Sequence, residues 1–453
     1  MKKYIFAVFA VAAVLSSCSK SLEPNGDINS GAKAITTIGA STEISTRAVV
    51  SSSDDTKVNW ETGDQLGVLG ANGSSEARNL AYELTAGTGS TIGTFQNNSS
   101  DITTIYAIMY PYQESANWDG TNSKLTCEIP SVQTAVKGSF DKNAAVMYSI
   151  GNTTDANLNF AVDFLKVTVT ETNVHAISIS SSDALSGKME ITSSGVSGAS
   201  SGSLNSVSIT AARGEVLQTG DYYIAVKKGD IADPTISYVY LDLTNHTATE
   251  KTKAGSATLS FASGTNVKPI SVTDWVGATE RKAFQLWADG PYFAEYNVGV
   301  TDGKAESYGG YYAWGGNQDV QGVTSPTYNT GTSPLKGADD TATKLWGSNW
   351  RMPTLTELPK LLTNCTVEWT QVNSVNGCKF TGMGDYVSNS VFLPAAGYYY
   401  GGDANYQGYS GRYWSSTPED SSNAYYLNFN SGAQYVDSSY RGIGDSVRAV
   451  LAE

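Results

Sequence analysis

The residues best suited to chemistry in this 453-residue sequence are aromatic, and they lie close together near its C-terminal end. They stand in a glycine-rich stretch and comprise Tyr398, Tyr399, Tyr400, Tyr406, Tyr409, Tyr413 and Trp414. Tyrosine combines a large, fairly rigid contact area with a hydroxyl group, which suits exposed recognition loops. Aromatic faces stack on sugar rings, while nearby polar side chains bind hydroxyl groups. We therefore predict ligand contacts at Tyr399, Tyr406, Tyr409, Arg412, Tyr413 and Trp414.

The same stretch allows a structural interpretation, because aromatic side chains also fill the core of a small, loop-rich domain. We favour the core for three tryptophans, Trp314, Trp350 and Trp414. Both interpretations stay open for three tyrosines, Tyr399, Tyr406 and Tyr409. Substitution separates the two, since a binding residue can be lost without unfolding the domain.

Few other residues offer reactive groups. The net charge is −14 and no long basic run occurs, so nucleic acid is not an expected partner. His175 and His246 are isolated in Thr-, Ser- and Asn-rich surroundings, which predicts surface or loop positions. We expect no histidine-based catalytic centre, no enzyme activity, no cofactor and no metal site.

Oxygen ligands for a cation do occur beside the aromatic stretch. They belong to Asp403, Asn405, Glu419 and Asp420, but their spacing matches no known cation-binding pattern. No carboxylate pair stands out for glycan hydrolysis either. An enzyme acting on glycans is therefore only a third hypothesis, behind two binding hypotheses.

The N-terminus carries an export signal. MKKYIFAVFAVAAVLSSC, residues 1–18, joins a basic start to an apolar run too short to span a bilayer comfortably. It ends in a sequence that resembles a bacterial lipobox, which implies lipidation of Cys18 and an outer-membrane, surface-exposed lipoprotein held by its lipid anchor only. The alternative is an ordinary signal peptide with an incidental cysteine. Residues 19–45 read as a polar tether followed by a possible first strand.

The remaining cysteines have structural interpretations. In the oxidising compartment that an exported protein meets, Cys365 and Cys378 could close a short loop, although sequence cannot show their geometry. Cys127 alternates with apolar neighbours, which predicts a buried thiol.

The alternation of apolar residues predicts an all-β chain from residue 47 to 275, with a boundary near 276–283. In LNFAVDFLKVTVT the apolar parity switches at Phe164-Leu165, which predicts a β-bulge. The Ser/Gly-rich residues 180–208 are predicted to be loop with at most short strands. After the boundary, Thr354 and Glu357 fit a capping box that would start a short helix, although Pro359 then falls inside it. A cap at Thr356 would instead place Pro359 in the first turn, where backbone N–H groups have no helical partner.

A first resemblance covers residues 45–275. The matching pieces are Thr46-Arg47-Ala48, VNWETGDQLGV from Val58, Tyr110-Pro111, Ile129-Pro130 with Gln133, and Phe160 with FLKV from Phe164. Together they resemble the fimbrillin family of Bacteroidetes pilus proteins. The resemblance implies two tandem Greek-key, transthyretin-like β-sandwiches, over residues 46–152 and 153–275. It also implies that subunits are cut after an arginine, here Arg47, and that a neighbouring subunit's strand replaces the one removed. Alternatively, Arg47 is an ordinary surface residue, since anchor and tip subunits need not be processed.

A second resemblance covers residues 284–453. The matching pieces are LWAD from Leu286, NVG from Asn297, GYYAWG from Gly310, WRMPT from Trp350, LPAAG from Leu393, YWSST from Tyr413 and SVRAV from Ser446. They resemble the Fibrobacter major-paralogous domain, which implies a small α+β, C-type-lectin-like fold. Formylglycine-generating enzymes are distantly similar, but their paired C-terminal cysteines have no counterpart here.

The sequence as a whole predicts a mainly β surface lipoprotein that acts as a pilus-associated adhesin, as a tip or accessory subunit. Its partners would be other pilus subunits, through strand addition, and a glycan or surface protein, through the C-terminal aromatic residues. The alternative is a static outer-membrane lipoprotein that captures glycan for a nutrient-uptake system.

Overall fold

A computed structural model describes residues 33–42, 59–73, 76–255, 257–262, 266–270 and 275–452. The predicted signal segment with Cys18, and the predicted processing residue Arg47, lie outside these ranges. Within them, no helix has both the length and the apolar character needed to cross a membrane.

The described chain is mainly β, as the alternation of apolar residues predicts. The strands begin with β1 (Thr37–Ser41), β2 (Gln65–Ala71), β3 (Arg78–Ala86), β4 (Ile92–Gln96), β5 (Thr104–Tyr110), β6 (Asn117–Asp119), β7 (Lys124–Ile129), β8 (Val132–Thr134), β9 (Met147–Ile150), β10 (Asp155–Asn157) and β11 (Asn159–Phe160). They continue with β12 (Val162–Val169), β13 (Val174–Ser180), β14 (Ser186–Thr192), β15 (Gly195–Leu204), β16 (Ser206–Thr210), β17 (Gly220–Lys227), β18 (Thr235–Asp242), β19 (Thr247–Gly255), β20 (Val267–Ile270), β21 (Trp275–Gln285) and β22 (Tyr292–Ala294). The last part holds α1 (Thr341–Trp346), β23 (Trp350–Arg351), α2 (Leu358–Asn364), β24 (Cys365–Val372), β25 (Val375–Gly382), β26 (Ser390–Pro394), β27 (Tyr398–Tyr400), β28 (Asp403–Asn405), β29 (Ser410–Pro418), β30 (Asn423–Asn430), β31 (Gln434–Tyr440) and β32 (Val450–Leu451).

The sheets stack in layers with hydrophobic cores between them. An eight-stranded sheet has the order β10-β1-β4-β3-β2-β5-β9-β11. A core separates it from a second layer, made of the four-stranded sheet β15-β14-β7-β6 and the three-stranded sheet β17-β12-β20. A further core lies between the three-stranded sheet and a nine-stranded sheet of order β23-β32-β22-β21-β19-β18-β13-β16-β8. The opposite face of that nine-stranded sheet packs against the C-terminal region.

Strand β12 is buried on both faces, which explains why its apolar residues change parity. Phe164 packs into the core beneath the eight-stranded sheet, whereas Leu165 and Val167 pack into the core shared with the nine-stranded sheet. The pairing of β12 with β17 runs without a register shift from Val162 to Val169. The predicted β-bulge is therefore wrong, because the strand is buried on both faces and needs no bulge to bury both parities.

The predicted division near residue 152 does not separate the sheets. Strand β7 pairs with β14, and β8 pairs with β16, so strands before residue 152 join strands well after it. In the other direction, β10 and β11 belong to the eight-stranded sheet. The predicted boundary at 276–283 lies inside β21, which pairs with β19 on one side and β22 on the other. The C-terminal region thus continues the nine-stranded sheet.

The Ser/Gly-rich segment 180–208 also differs from its prediction. It contains all of β14, which is an inner strand of its sheet, and all of the ten-residue edge strand β15. The loop prediction is wrong because the short side chains of β15 occupy a largely solvent-facing edge, where few apolar residues are needed.

The short helix predicted from Thr354 and Glu357 starts later than a capping box at Thr354 suggests. Helix α2 begins at Leu358, so Pro359 lies in the first turn, where a missing N–H costs nothing. The Glu357 carboxylate does accept the Thr354 backbone N–H at 2.8 Å, but the Thr354 hydroxyl contacts Thr356 instead of capping the helix. Arg351 donates two hydrogen bonds, of 2.8 and 2.7 Å, to Glu357 and fixes this turn.

Candidate functional site

The C-terminal region is held to the nine-stranded sheet by a buried polar cluster around Glu250. One carboxylate oxygen of Glu250 accepts the Trp350 indole N–H at 2.8 Å and Arg281 Nη1 at 2.6 Å. The other accepts Asn349 Nδ2 at 2.9 Å. The Arg281 guanidinium also lies 3.9 Å from the ring centroid of Trp346. Charge-assisted hydrogen bonds in a buried site fix geometry well, so this cluster holds Asn349 and Trp350 against β19.

The predicted aromatic site is built on a tight hairpin. Strands β27 and β28 pair from Tyr398 opposite Asn405 to Tyr400 opposite Asp403. Only two residues connect them, and both have positive φ, +61° at Gly401 and +92° at Gly402. A two-residue turn of this kind requires glycine or a similarly permissive residue. The glycines here therefore serve the turn that presents the tyrosines.

Three tyrosines project from this hairpin and the loop that follows it. Tyr400 is 59% exposed, Tyr406 is 64% exposed and Tyr409 is 74% exposed. Tyr406 has a φ of +53°, an uncommon conformation for a residue with a side chain. Isolated exposed apolar residues need no explanation, but several large aromatic rings exposed on adjacent turns are typical of a contact surface. Tyr406 and Tyr409 thus have the exposure that the binding interpretation requires, and we name this set with Tyr400 the tyrosine surface.

A stack of rings supports the tyrosine surface from below. The Arg412 guanidinium lies between two rings, 4.1 Å from the centroid of Tyr426 and 4.5 Å from that of Tyr398. Tyr398 in turn stacks on Tyr406, with centroids 6.0 Å apart. Asp445 completes the arrangement, because its carboxylate lies 3.1 Å from Arg412 Nε. Burial raises the pKa of Asp445 to about 6, and the positive charge of Arg412 opposes that rise.

The prediction that Arg412, Tyr413 and Trp414 contact a ligand is wrong. Arg412 is 9% exposed and its guanidinium is covered by the ring stack. The Tyr413 hydroxyl donates to the Pro394 carbonyl at 2.8 Å, and the Trp414 indole N–H donates to the Tyr312 carbonyl at 2.8 Å. These side chains lie on a β29 segment whose two faces are both buried, as the core interpretation of Trp414 predicts.

Tyr399 occupies an intermediate position. It is half-buried, its ring meets that of Tyr311 edge-on at 4.7 Å, and its hydroxyl lies 3.2 Å from Gln321 Oε1. Tyr399 therefore anchors the hairpin more than it offers a free face. The site prediction omits Tyr400 and Tyr440, which are 59% and 44% exposed. The Gly401-Gly402 pair could have indicated Tyr400, because it marks a tight turn and the residues beside such a turn lie at the surface.

The cysteines of the described chain lie outside the tyrosine surface. The Cys365 and Cys378 thiols are free and buried, and burial raises the pKa of each to about 12. Cys378 stands opposite Trp369, four residues beyond Cys365, which separates the two cysteines by about 13 Å along the hairpin. A disulfide needs Cα atoms within about 7 Å, so the proposed bond is wrong. Cys127 is buried, as predicted, and burial raises the pKa of its thiol to about 12.

The candidate cation ligands do not form a site in the described part of the chain, where no group of acidic, His or Cys side chains has the arrangement to hold a metal. The Asp420 carboxylate accepts the backbone N–H groups of Ser422 and Asn423, both at 2.7 Å, and so stabilises a turn. The surface position expected for His175 is wrong. It is buried in β13, its Nδ1 lies 2.8 Å from the Glu215 carbonyl, and burial lowers its pKa.

Comparison with known proteins adds a limited set of findings. Residues 369–450 match a family described as a domain of unknown function, DUF8237. No curated protein matches the chain. A fimbrial protein from Bacteroides ovatus aligns with 92% of this chain and 99% of its own, at 13% identity and a TM-score of 0.23. The tip fimbrial protein Mfa3 from Porphyromonas gingivalis, with a C-terminal truncation, aligns with 59% of this chain and 85% of its own, at 7% identity and a TM-score of 0.19. Scores this low do not establish a shared fold.

Proposed function

We propose that this protein is a surface lipoprotein that works as a pilus-associated adhesin, in a tip or accessory position. It acts by binding, without enzyme activity. Its sheets join it to other subunits, and the tyrosine surface binds a glycan or a surface protein. The sequence resemblance to fimbrillins supports the pilus association, and the placement of β1 is the structural observation that carries it.

Strand β1 is inserted between two strands that come later in the chain. It pairs antiparallel with β4 over its full length and parallel with β10 at Gly39, Ala40 and Ser41. Ile38 and Ala40 are buried in the core beneath the eight-stranded sheet. Removal of β1 would therefore leave two unpaired edges and an open apolar groove. A strand from another subunit could fill that groove through the same backbone hydrogen bonds.

Arg47 follows β1 in the sequence, so a cut after it would separate β1 from the rest of the chain. The test treats purified full chain with an arginine-specific protease and then adds a fluorescent peptide of residues 33–47. Wild-type protein should release its first strand and take up the peptide, whereas an Arg47→Ala variant should do neither. A peptide carrying Ile38→Asp is the matched control, because a charge cannot enter the apolar groove. The proposal of strand addition is wrong if the cut chain binds neither peptide.

The tyrosine surface supports the adhesive part of the proposal. Its rings are exposed, and the hairpin and ring stack beneath them hold them in place, which reduces the entropy lost on binding. The broader test is immunogold labelling of intact cells with antibody against residues 284–453. Gold at filament ends would support a tip adhesin. Absence of gold without permeabilisation would contradict surface exposure.

A static lipoprotein that captures glycan for nutrient uptake is the second candidate. It applies if β1 stays in place, because a chain that keeps its first strand paired on both sides has no groove to offer another subunit. This candidate predicts gold scattered over the cell body and an uncut Arg47 in surface protein. The adhesin predicts filament-associated label, so the same experiment decides between them.

A further inference from the structure

A second aromatic site lies on the N-terminal half of the molecule, far along the chain from the tyrosine surface. Here β6 and β7, in the layer that packs on the eight-stranded sheet, bring Trp118 of β6 against Tyr106 of β5. A cleft of about 770 Å³ opens at this point, within the range of about 300–1,000 Å³ that is usual for small-ligand sites. Its lining includes Glu76, Tyr106, Asn117, Trp118, Asp119 and Lys124.

Two aromatic rings form one wall of the cleft. Tyr106, on β5, and Trp118, on β6, have centroids 5.8 Å apart and planes inclined by only 17°. Both side chains are half-buried, unlike the buried Ile105 and Ala107 that flank Tyr106 on β5. Within the described residues the Trp118 indole N–H has no hydrogen-bond partner. Nearly parallel rings with free surface and a free donor suit a flat, hydroxylated ligand.

The polar part of the cleft is held in place before any ligand arrives. The Asp119 carboxylate accepts the backbone N–H groups of Thr121 and Asn122, at 3.0 and 3.2 Å, which closes the turn between β6 and β7. Lys124 donates to Glu190 Oε1 at 2.8 Å on the neighbouring strand. Because the one lysine of the lining is already paired, its other charges, Glu76 and Asp119, make the cleft acidic.

We propose that this cleft binds a neutral oligosaccharide, with pyranose rings stacked on Trp118 and Tyr106 and with hydroxyl groups donating to Glu76, Asn117 and Asp119. The acidic lining repels sialylated or sulfated sugars. A peptide strand fits less well, because the edge strand β6 spans only three residues and would supply few backbone hydrogen bonds. The proposal does not depend on the pilus association or on the tyrosine surface.

The test titrates purified full chain with cellopentaose, maltopentaose and sialyllactose in a calorimeter. At least one neutral pentaose should bind, and sialyllactose should not. Trp118→Ala should weaken binding by about tenfold or more, whereas Trp118→Phe keeps a stacking face and should lose less than about threefold. Trp369→Ala removes another half-buried tryptophan, on a C-terminal hairpin, and should leave the affinity unchanged.

Thermal unfolding of each variant shows whether a loss of binding reflects a loss of folding. Should Trp118→Ala fail to fold, Trp118→Phe still decides the question. Sugar should change the indole fluorescence of wild-type protein, and that change should vanish in Trp118→Phe although binding persists. The proposal is overturned if neither pentaose binds at millimolar concentration, if only sialyllactose binds, if Trp118→Ala folds and binds as wild type does, or if Tyr406→Ala abolishes the binding instead.

Discussion

Replacing Glu250 with alanine should lower the free energy of unfolding by about 3–5 kcal/mol, the usual cost of removing one partner from a buried ion pair. Glu250 is 4% exposed, and it accepts hydrogen bonds from Asn349, Trp350 and Arg281. Alanine leaves all of these donors without their acceptor and leaves the Arg281 charge largely buried. Part of the loss comes from the amide and indole N–H groups, each costing about 1–3 kcal/mol when buried and unpaired.

Urea-induced unfolding followed by tryptophan fluorescence measures this loss, because Trp346 and Trp350 contact the cluster directly. Glu280→Ala is the matched control on the neighbouring strand. The Glu280 side chain is 54% exposed and lies 3.8 Å from Lys251, so its removal should cost no more than about 1 kcal/mol. The double variant Glu250→Ala with Arg281→Met should lose less free energy of unfolding than the two single variants lose together, since it leaves no unpaired charge.

A loss from Glu250→Ala as small as that from Glu280→Ala would refute this reasoning. The buried cluster would then contribute little to docking, and hydrophobic packing between the nine-stranded sheet and the C-terminal region would suffice. An additive double variant would show, separately, that Glu250 and Arg281 do not act as a pair.

Three further outcomes can be checked on the same purified protein. Tyr406→Ala should change the free energy of unfolding by less than about 0.5 kcal/mol, whereas Trp414→Ala should cost about 3–5 kcal/mol, and thermal denaturation of both variants tests this contrast. Burial raises the pKa of Asp445 from its ordinary 3.8 to about 6, so the folded state binds this proton more tightly than the unfolded state. The stability that Asp445 contributes should therefore be full below about pH 4 and fall as pH rises through about 6. Urea midpoints should show a larger fall in wild type than in Asp445→Asn, where Asp340, whose pKa burial also raises to about 6, still titrates. Cys365 and Cys378 should resist iodoacetamide in the folded protein and both react in urea without reductant; a mass lower by two hydrogens would instead reveal a disulfide.

Sequence patterns predicted the strands that a local pattern of apolar residues is enough to identify. The prediction of a β chain over residues 47–275 is confirmed in the described part of that range, for example at β5 and at β18, which lies between β13 and β19. Buried side chains set these patterns locally, so alternation is enough to find them. For Tyr406 and Tyr409 the sequence left exposure and burial both open, and the structure shows that they are exposed.

Pairing between distant segments could not be predicted. Nothing local to Phe164 shows that each face of its strand meets a different core, so the parity switch was interpreted as a bulge. Arg412 presented a similar difficulty, because a charged residue beside tyrosines fits a binding surface until Tyr398, Tyr426 and Asp445 are seen to enclose it. Cys365 and Cys378 are close in sequence, but the register in which β24 pairs with β25 keeps them apart, and the sequence does not reveal that register.

The nine-stranded sheet has a consequence for the time this chain needs to fold. It places Val132–Thr134 at one end and, near the other, Val450–Leu451 between β22 and β23. Pairing strands so far apart in the sequence requires the intervening chain to be ordered first. Folding therefore slows as the sequence separation of the contacts grows. The hairpin of β18 and β19 can form early because its strands are adjacent. We expect the outer strands to join last, and a chain interrupted in folding would then expose the edges of the nine-stranded sheet, where unpaired backbone groups can pair with other chains.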